Sequence, residues 1–290
     1  NLLSNLAAML LRFTKMHGLG NDFLMLDLIS QNLQIRDDRI RCLADRHLGI
    51  GFDQVLMVEP PQDPQMDFRF RIFNADGSEA EQCGNGARCF TRFVRDRGLT
   101  TKTELKLETI KGMVKCKLQK DGNITVNMGP PRLQPDCIPF SAPRTQITYN
   151  LQLADGLCAD ETDIEISAVS MGNPHAVLLV ENVDTAPVKT LGPRLAAHGR
   201  FPQGVNVSFM EVVDRKNIRL RVYERGSGET RACGSGACAA VVTGRLQGLL
   251  EEEVNVQLPG GTLRIEWQGD DSPVLQTGPA CRVYEGHLLI

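Results

Sequence analysis

Two cysteines occupy nearly the same local sequence in the two halves of the chain. Cys83 lies in "FNADGSEAEQCGNGARCF", from 73 to 90, and Cys233 lies in "VYERGSGETRACGSGACAA", from 222 to 240. Each cysteine is followed directly by a glycine-rich run and then by a segment that a later glycine ends. The spacing predicts a thiol at the N-terminus of a helix in each half.

A thiol in that position is suited to proton transfer. The positive end of the helix dipole and the free amides there stabilise a thiolate, so we expect the pKa of each thiol to fall below the free value of about 8.5. The glycines let the backbone close around an anion, and amides at a helix start bind carboxylate or phosphate groups. Each half therefore offers one thiol and half of an anion site.

Two such half-sites facing each other suit the inversion of a stereocentre. A thiolate removes a proton from one face of a carbon, and the opposite thiol returns a proton to the other face. Amides from both helices would stabilise the charge that develops on a bound carboxylate. The duplicated pattern indicates this two-base reaction class.

Short strands dominate the rest of the pattern. Brief apolar or alternating runs between turn residues predict strands at 23–28, 55–60, 67–73, 104–110, 113–119, 124–128, 176–180, 206–213, 218–224 and 263–267. Helices are predicted at 87–97, 237–246, 37–46 and 187–197. The run "EEEVNV" after Leu250 is interpreted as a solvated face.

The two halves look like a duplication of a β-rich unit. Aligning the cysteines (83 with 233) matches Glu79, Cys83, Gly84, Gly86 and Ala87 with Glu229, Cys233, Gly234, Gly236 and Ala237. The proline-rich stretch from 129 to 144 lacks periodicity and suits a crossing between domains. We therefore place the domain boundary near residue 128.

Composition favours a small-molecule partner. The 290 residues suffice for about two domains, and 42% hydrophobic with 23% charged residues is typical of a globular protein. The net charge of -3 gives no basic footprint for nucleic acid or an anionic membrane. The initial "NLLSNLAAMLL" is too short to span a bilayer and lacks the basic flank of a secretory signal. We expect residues 1–12 to be a leader or a cloning remnant.

The other cysteines are interpreted as packing residues. Nine cysteines is an odd number and no secretory signal is present, which favours a reducing cytoplasm. The cysteine spacing and five scattered histidines predict no structural metal. We expect seven thiols to be buried apolar groups: Cys42, Cys89, Cys116, Cys137, Cys158, Cys238 and Cys281.

Six segments together resemble the diaminopimelate epimerase family. They are "FTKMHGLGNDF", "GFDQ", "FNADGSEAEQCGNGARC", "SMGNPHAV", "FPQGVNVSFM" and "VYERGSGETRACGSGACA". The likeness extends from residue 13 to the end of the chain. It implies a cofactor-independent enzyme that interconverts LL- and meso-2,6-diaminopimelate on the bacterial route to lysine and peptidoglycan.

The resemblance also implies a fold. Members of this family are α+β proteins with two pseudo-symmetric, mixed β-barrel-like domains, each enclosing a central helix, and the active site lies in the cleft between them. The expected halves here are 13–127, completed by a C-terminal strand at 276–290, and 128–275. A homodimer is implied as well, with Tyr284 matching a tyrosine of the family's subunit interface.

Family roles transfer to specific residues of this sequence. Cys83 and Cys233 match the catalytic pair that flanks the substrate α-carbon, while His175 and Glu224 match positions that tune the thiols and orient the reacting amine. Gly84, Asn85, Gly234 and Ser235 would hold the carboxylate of the reacting centre. The remaining implied substrate contacts are Asn21, Gln54, Asn74, Asn173, Asn206 and Arg225. No metal ligand is implied.

Two other functions remain open at this stage. One is a sister enzyme of the same fold, such as a proline or hydroxyproline racemase, or an isomerase without the thiol pair. The many amide side chains and Arg225 suit a long, doubly zwitterionic substrate better than proline. The other is a thiol redox protein or a binder in which Cys83 and Cys233 form a regulatory disulfide.

Overall fold

The computed structural model describes residues 10–80, 83–153 and 162–289. Four α-helices lie within this part of the chain: α1 (Asp37–Ala44), α2 (Gly84–Asp96), α3 (Val188–Ala196) and α4 (Gly234–Leu246). Its strands are β1 (Leu10–Gly18), β2 (Asn21–Asp27), β3 (Gln54–Glu59), β4 (Phe68–Asn74), β5 (Glu79–Ala80), β6 (Glu104–Thr109), β7 (Gly112–Leu118), β8 (Ile124–Asn127), β9 (Tyr149–Leu153), β10 (Thr162–Ser170), β11 (Pro174–Leu179), β12 (Asn206–Asp214), β13 (Asn217–Glu224), β14 (Gly228–Thr230), β15 (Glu253–Leu258), β16 (Gly261–Glu266), β17 (Leu275–Gly278) and β18 (Cys281–Leu289).

The chain divides into two compact units. Unit 1 combines the described residues up to Ile124 with those from Pro279 onward, and unit 2 runs from Thr125 to Gly278. The last strand, β18, pairs antiparallel with β1, with Leu10 opposite Leu289. Unit 1 is therefore assembled from both ends of the described chain.

Unit 1 is a mixed sheet packed on α2. Strand β1 pairs antiparallel with β2, β2 parallel with β3, β3 antiparallel with β4, and β4 parallel with β6. Phe90 of α2 is fully buried and its ring lies 4.7 Å from that of Phe70 and 6.1 Å from that of Phe68. The helix is thus fixed to the sheet by aromatic packing, which buries large apolar areas in defined geometry.

Unit 2 repeats the arrangement around α4. Strand β11 pairs parallel with β12, β12 antiparallel with β13, and β13 parallel with β15, matching the order in unit 1. The stretch from Gly236 to Gly244 is buried throughout, which is the behaviour of a helix enclosed on all sides. Its alanines and glycines keep side chains small enough for that enclosure.

The predicted fold class is confirmed. Both units are strand-dominated, each holds one largely buried helix, and the pairing pattern of the strands is duplicated. Sequence analysis placed the two central helices three residues too late, since they begin at Gly84 and Gly234 and not at Ala87 and Ala237. The glycines therefore form the first helical turn and are not a loop before it.

Several strands escaped the sequence analysis. The acidic run after Leu250 leads into β15, whose Val254 and Val256 are fully buried, so the interpretation as a purely solvated face is wrong. Residues 1–9 of the expected leader lie outside the described residues, whereas Leu10 to Arg12 belong to β1 and Leu11 is fully buried. Within the described part, no helix is both long and apolar enough to cross a membrane.

Candidate active site

Cys83 is the N-cap residue of α2. Its extended backbone, with φ of -150°, ends the approach to the helix, and its Sγ accepts a hydrogen bond from the Gly86 amide at 3.3 Å. The carbonyl of Cys83 accepts the first intrahelical bond, from Ala87, at 2.8 Å. The thiol thus takes the capping role that serine or aspartate usually has, and it accepts from an amide of the first helical turn.

Glycine at position 86 suits this contact. A Cβ there would lie 3.3 Å from both the Cys83 Cβ and the Leu56 Cδ1, closer than ordinary packing allows. The same holds in unit 2, where a Cβ on Gly236 would lie 3.2 Å from the Cys233 Sγ. The glycine therefore allows the sulfur to approach the helix axis.

Two asparagines lie beside the Cys83 thiol. The Asn21 Oδ1, at the start of β2, is 3.8 Å from the Cys83 Sγ and accepts a hydrogen bond from the Asn85 Nδ2 at 3.2 Å. The Asn85 Oδ1 accepts from a guanidinium nitrogen of Arg88 at 2.7 Å. Cys83, Gly84, Asn85 and Asn21 thus lie together in unit 1.

Gln54 and Asn74 form a second pair at the same edge of the sheet. They are directly opposite each other in the β3–β4 ladder, and the Gln54 Nε2 donates to the Asn74 Oδ1 at 2.9 Å. The β2–β3 register places Phe23 opposite Gln54, so Asn21 belongs to this edge as well. Three predicted amide side chains therefore line one rim of unit 1.

Cys233 is the N-cap residue of α4 in the same way. Its Sγ accepts from the Gly236 amide at 3.4 Å and lies 3.7 Å from the Ser235 Oγ. Unlike the half-exposed Cys83, its side chain is buried. Gly234 and Ser235 occupy the first turn, where they offer free amides to an anion.

The expected lowering of the thiol pKa is wrong for Cys233. Burial raises the pKa of Cys233 well above its ordinary value, and the nearby Glu224 carboxylate raises it further. Hydrogen bonds from Ser235 and the Gly236 amide act in the opposite direction but do not outweigh these two effects. Burying a thiolate here costs more free energy than its hydrogen bonds to the helix start recover, so the neutral thiol is favoured.

Glu224 and Arg225 lie where β13 ends. The Thr230 hydroxyl donates to the Glu224 Oε1. The Arg225 backbone amide donates to the Asn206 Oδ1 at 2.8 Å, which joins Arg225 to the first residue of β12. Its guanidinium donates to the Gln203 carbonyl at 2.5 Å.

His175 is a neutral, fully buried group in β11. Its Nε2 lies 3.0 Å from the Asn173 Oδ1, and its register partner in β12 is Asn206. Burial, aided by the charge of Arg225, lowers the pKa of His175 to about 3. Since Nε2 faces an amide oxygen, Nε2 carries the proton and Nδ1 is an acceptor that no hydrogen bond satisfies among the described groups.

The structure adds residues that sequence reasoning missed. Asp53 lies in the "GFDQ" segment and accepts from the Asn21 Nδ2 at 2.9 Å, while Arg88 lies within the first cysteine motif and is fully buried. Gln276 is also fully buried, and its Nε2 is 3.7 Å from the Cys238 Sγ. The first two stood in segments already singled out, whereas nothing local marked Gln276.

The prediction for the remaining thiols holds only in part. Cys89, Cys116 and Cys238 are buried, but Cys42, Cys137 and Cys281 are exposed, so the packing interpretation is wrong for these three. Cys158 lies outside the described residues. Burial raises the pKa of Cys116 to about 12, which is the behaviour of an inert core thiol.

Comparison with known proteins decides the family. A family model for diaminopimelate epimerase matches residues 13–134 and 167–283 of the chain. The chain belongs to the diaminopimelate epimerase family. The diaminopimelate epimerase of Ectopseudomonas mendocina is 58% identical over 280 residues, which cover 97% of this chain and 99% of that protein. The chain is accordingly an enzyme of the epimerase class, and the resemblance seen in its motifs is confirmed.

Solved structures of distant proteins share the fold. A phenazine biosynthesis protein of the PhzF family from Bacillus anthracis superposes with a TM-score of 0.71 at 17% identity, covering 97% of this chain and all (100%) of that one. A hydroxyproline epimerase from Agrobacterium vitis gives a TM-score of 0.69 at 17% identity, covering 97% of this chain and 93% of that one. At such identities the likeness concerns the fold alone.

Replacing the Glu224 carboxylate by an amide should make Cys233 more reactive. In Glu224→Gln the charge that raises the Cys233 pKa is gone, so more thiolate is present at any given pH and the alkylation of Cys233 speeds up. The measurement is the alkylation rate of the Cys233 peptide by mass spectrometry. Glu229→Gln, in the adjacent strand and paired with Arg221, is the matched control. Equal Cys233 rates in wild type and Glu224→Gln would contradict the electrostatic explanation.

Removing His175 should flatten the acid side of the stability profile. The unfolded histidine binds a proton below pH 6.5, but the folded one does so only near 3, so folding stability falls as pH decreases through this window. The loss approaches about 1.4 kcal/mol per pH unit for one group. His175→Gln should reduce the slope of urea-unfolding free energy against pH, with the exposed His47→Gln as control. An unchanged slope in His175→Gln would refute the depressed pKa.

Proposed function

We propose that this enzyme interconverts LL-2,6-diaminopimelate and meso-2,6-diaminopimelate without a cofactor, using Cys83 and Cys233 as its two acid–base groups. The observation that supports it best is the duplicated cap, in which each cysteine sulfur accepts from the third amide of a glycine-led helix. The proposal assigns one thiol from each half, 13–127 with 276–290 and 128–275, to opposite faces of the substrate α-carbon.

The proposed reaction conserves protons. A thiolate on one side takes the α-proton and becomes a thiol, the electron pair is held by the carbon and its carboxylate, and the opposite thiol donates its proton and becomes a thiolate. The reverse direction exchanges the two roles. Backbone amides of the first helical turn, at Gly84–Asn85 and Gly234–Ser235, would stabilise the charge on the carboxylate, which is usually the largest contribution that a preorganised site supplies.

The other predicted residues are proposed as substrate contacts. Arg225 would pair with a carboxylate, and five amide side chains would hold the polar ends of a long zwitterion; these are Asn21, Gln54, Asn74, Asn173 and Asn206. His175 is neutral and keeps an acceptor nitrogen, and Glu224 already affects Cys233, which supports their proposed tuning roles. We further propose a cytoplasmic enzyme of lysine and peptidoglycan precursor synthesis.

Two alternatives are distinguished by experiment. A proline-type racemase shares the fold, but the hydroxyproline epimerase of Agrobacterium vitis is only 17% identical, against 58% for the diaminopimelate epimerase of Ectopseudomonas mendocina. A thiol redox protein would gain its function on oxidation, whereas the epimerase would lose it. No observation in the described residues favours either alternative.

The deciding measurement is α-proton exchange followed by NMR. Reduced protein is incubated in D2O with LL-diaminopimelate and, separately, with L-proline, without added cofactor. Deuterium uptake with formation of the meso isomer supports the proposal. Exchange with proline alone would show that the protein has the sister racemase activity. Exchange with neither substrate in a folded, reduced sample would support the redox or binding function.

Removing either thiol should abolish epimerisation. Cys83→Ala and Cys233→Ala each take away one partner of a proton relay that needs both, so we expect turnover to fall by at least about a thousandfold. Circular dichroism checks that the fold is retained. Cys42→Ala, an exposed cysteine at α1, is the control that should keep wild-type turnover. Substantial turnover by either site variant would rule out the two-base scheme.

A homodimer through β18 is also proposed. Tyr284 is 45% exposed although its ring meets Phe13 edge-on at 6.0 Å, and Val283, Leu288 and Leu289 are exposed on the same strand. Tyr284→Ala should weaken self-association and shift the sedimentation profile toward monomer at low concentration. Ile110→Ala, at an exposed turn of the same unit, is the control. A wild-type protein that sediments as a monomer would end this proposal.

A further inference from the structure

Four side chains form a directed hydrogen-bond chain beside the Cys83 thiol. Arg88 donates to the Asn85 Oδ1 at 2.7 Å, and the Asn85 Nδ2 donates to the Asn21 Oδ1 at 3.2 Å. The Asn21 Nδ2 then donates to the Asp53 Oδ2 at 2.9 Å. All four residues belong to unit 1, so the chain is complete within one compact unit.

Each of the two end residues of this hydrogen-bond chain can play only one role, donor or acceptor. A guanidinium has donors alone and a carboxylate has acceptors alone, whereas each amide between them could present either its oxygen or its nitrogen. Arg88 therefore requires an oxygen from Asn85, and Asp53 requires a nitrogen from Asn21. The charged ends set the orientation of both amides.

Asp53 is itself held in place. Its Oδ1 accepts from Arg46 at 2.7 Å, and its Oδ2 also accepts from the Asp22 backbone amide at 3.1 Å. Asp22 in turn binds Arg46 and Lys15, at 2.8 and 2.6 Å. Burial opposes the charge on Asp22, but its hydrogen bonds to Arg46 and Lys15 outweigh this and hold its pKa well below the usual range. Two carboxylates and two cations thus form a balanced cluster behind Asn21.

We propose that Asp53 is a positioning residue that fixes the Asn21 amide and so presents its oxygen, not its nitrogen, to the Cys83 thiol. The Asn21 Oδ1 is 3.8 Å from the sulfur, where it accepts from an S–H but cannot donate to a thiolate. Asp53 therefore favours the protonated form of Cys83 through Asn21. Its importance for turnover rests on the proposed function, but the thiol effect does not.

A double-mutant cycle tests whether Asp53 acts through Asn21. Iodoacetamide alkylation of the Cys83 peptide is followed by mass spectrometry across a range of pH in wild type, Asp53→Asn, Asn21→Ala and the double variant. Asn21→Ala removes the acceptor, and Asp53→Asn removes what fixes it, because an amide at 53 can present either its oxygen or its nitrogen to Asn21. We therefore expect the alkylation midpoint to fall by about one pH unit in each single variant. In the double variant the midpoint should equal that of Asn21→Ala, because the two residues act as one unit.

Two outcomes of the cycle itself would overturn the proposal, and the control gives a third. They are an unchanged midpoint in Asp53→Asn, and a further fall in the double variant that equals the effect of Asp53→Asn alone. Asp45→Asn is the matched control, since Asp45 carries the same charge close by in sequence but its Oδ1 accepts only from the amides of the His47–Leu48 turn among the described groups. If Asp45→Asn shifts the midpoint equally, loss of charge alone explains the result and the proposal fails.

The test stays decisive if one variant is unstable. The Asp53 side chain is 44% exposed, so Asp53→Ala leaves no closed cavity and replaces Asp53→Asn in the same cycle with the same expectation. Thermal unfolding monitored by circular dichroism identifies folded variants. Alkylation uses no substrate, so a failed exchange experiment with diaminopimelate would reject the proposed function and leave this cycle interpretable.

Discussion

The contact between a cysteine sulfur and the amide three residues later governs both half-sites. It places each thiol within hydrogen-bond distance of an N–H group of the first helical turn, and it favours glycine at 86 and at 236 because a Cβ there would make a tighter contact than usual with the sulfur or its carbon. The sheets hold the two helices by burying almost all of their residues. The position of each thiol thus depends on a cap of the kind that serine or aspartate makes at other helix starts.

The duplicated backbone carries two unlike electrostatic environments. Five residues after its cysteine, α2 has the buried Arg88, whereas α4 has Cys238 beside the Gln276 amide. The second thiol is buried near Glu224, while the first is partly exposed and faces amide side chains. The two units therefore share the geometry of the cap but differ in the groups around it, and for Cys233 these surroundings favour the neutral thiol.

The sequence predicted what local patterns encode. The glycines after Arg97 and Gln247 marked the ends of α2 and α4, and alternating runs located most strands around them. Strand β15 was hidden because its acidic start masks the alternation of Val254 and Val256. Strand β18 was expected only from the family resemblance, since its mostly exposed side chains give no local pattern. These elements are stabilised by pairing with distant strands, which a local pattern does not record.

The site shows the same division between local and distant information. The capping cysteines and the neighbouring amides could be found from motifs, since each motif is one turn with its flanks. The direction of the Cys233 pKa shift could not be found in this way, because burial under other elements decides it. Asp53 and Asn21 are 32 positions apart in sequence and meet only through the parallel pairing of β2 with β3.

The pairing of β18 with β1 sets an order for biosynthesis. All of unit 2, from Thr125 to Gly278, is translated before β18 exists, so the second unit can complete its sheet while β1 still lacks one of its two neighbours. The common order, in which the N-terminal domain is complete and folds first on the ribosome, is therefore not open to unit 1. Until the final strand arrives, the nascent chain carries an open strand edge at β1, which is the kind of surface that chaperones protect from aggregation.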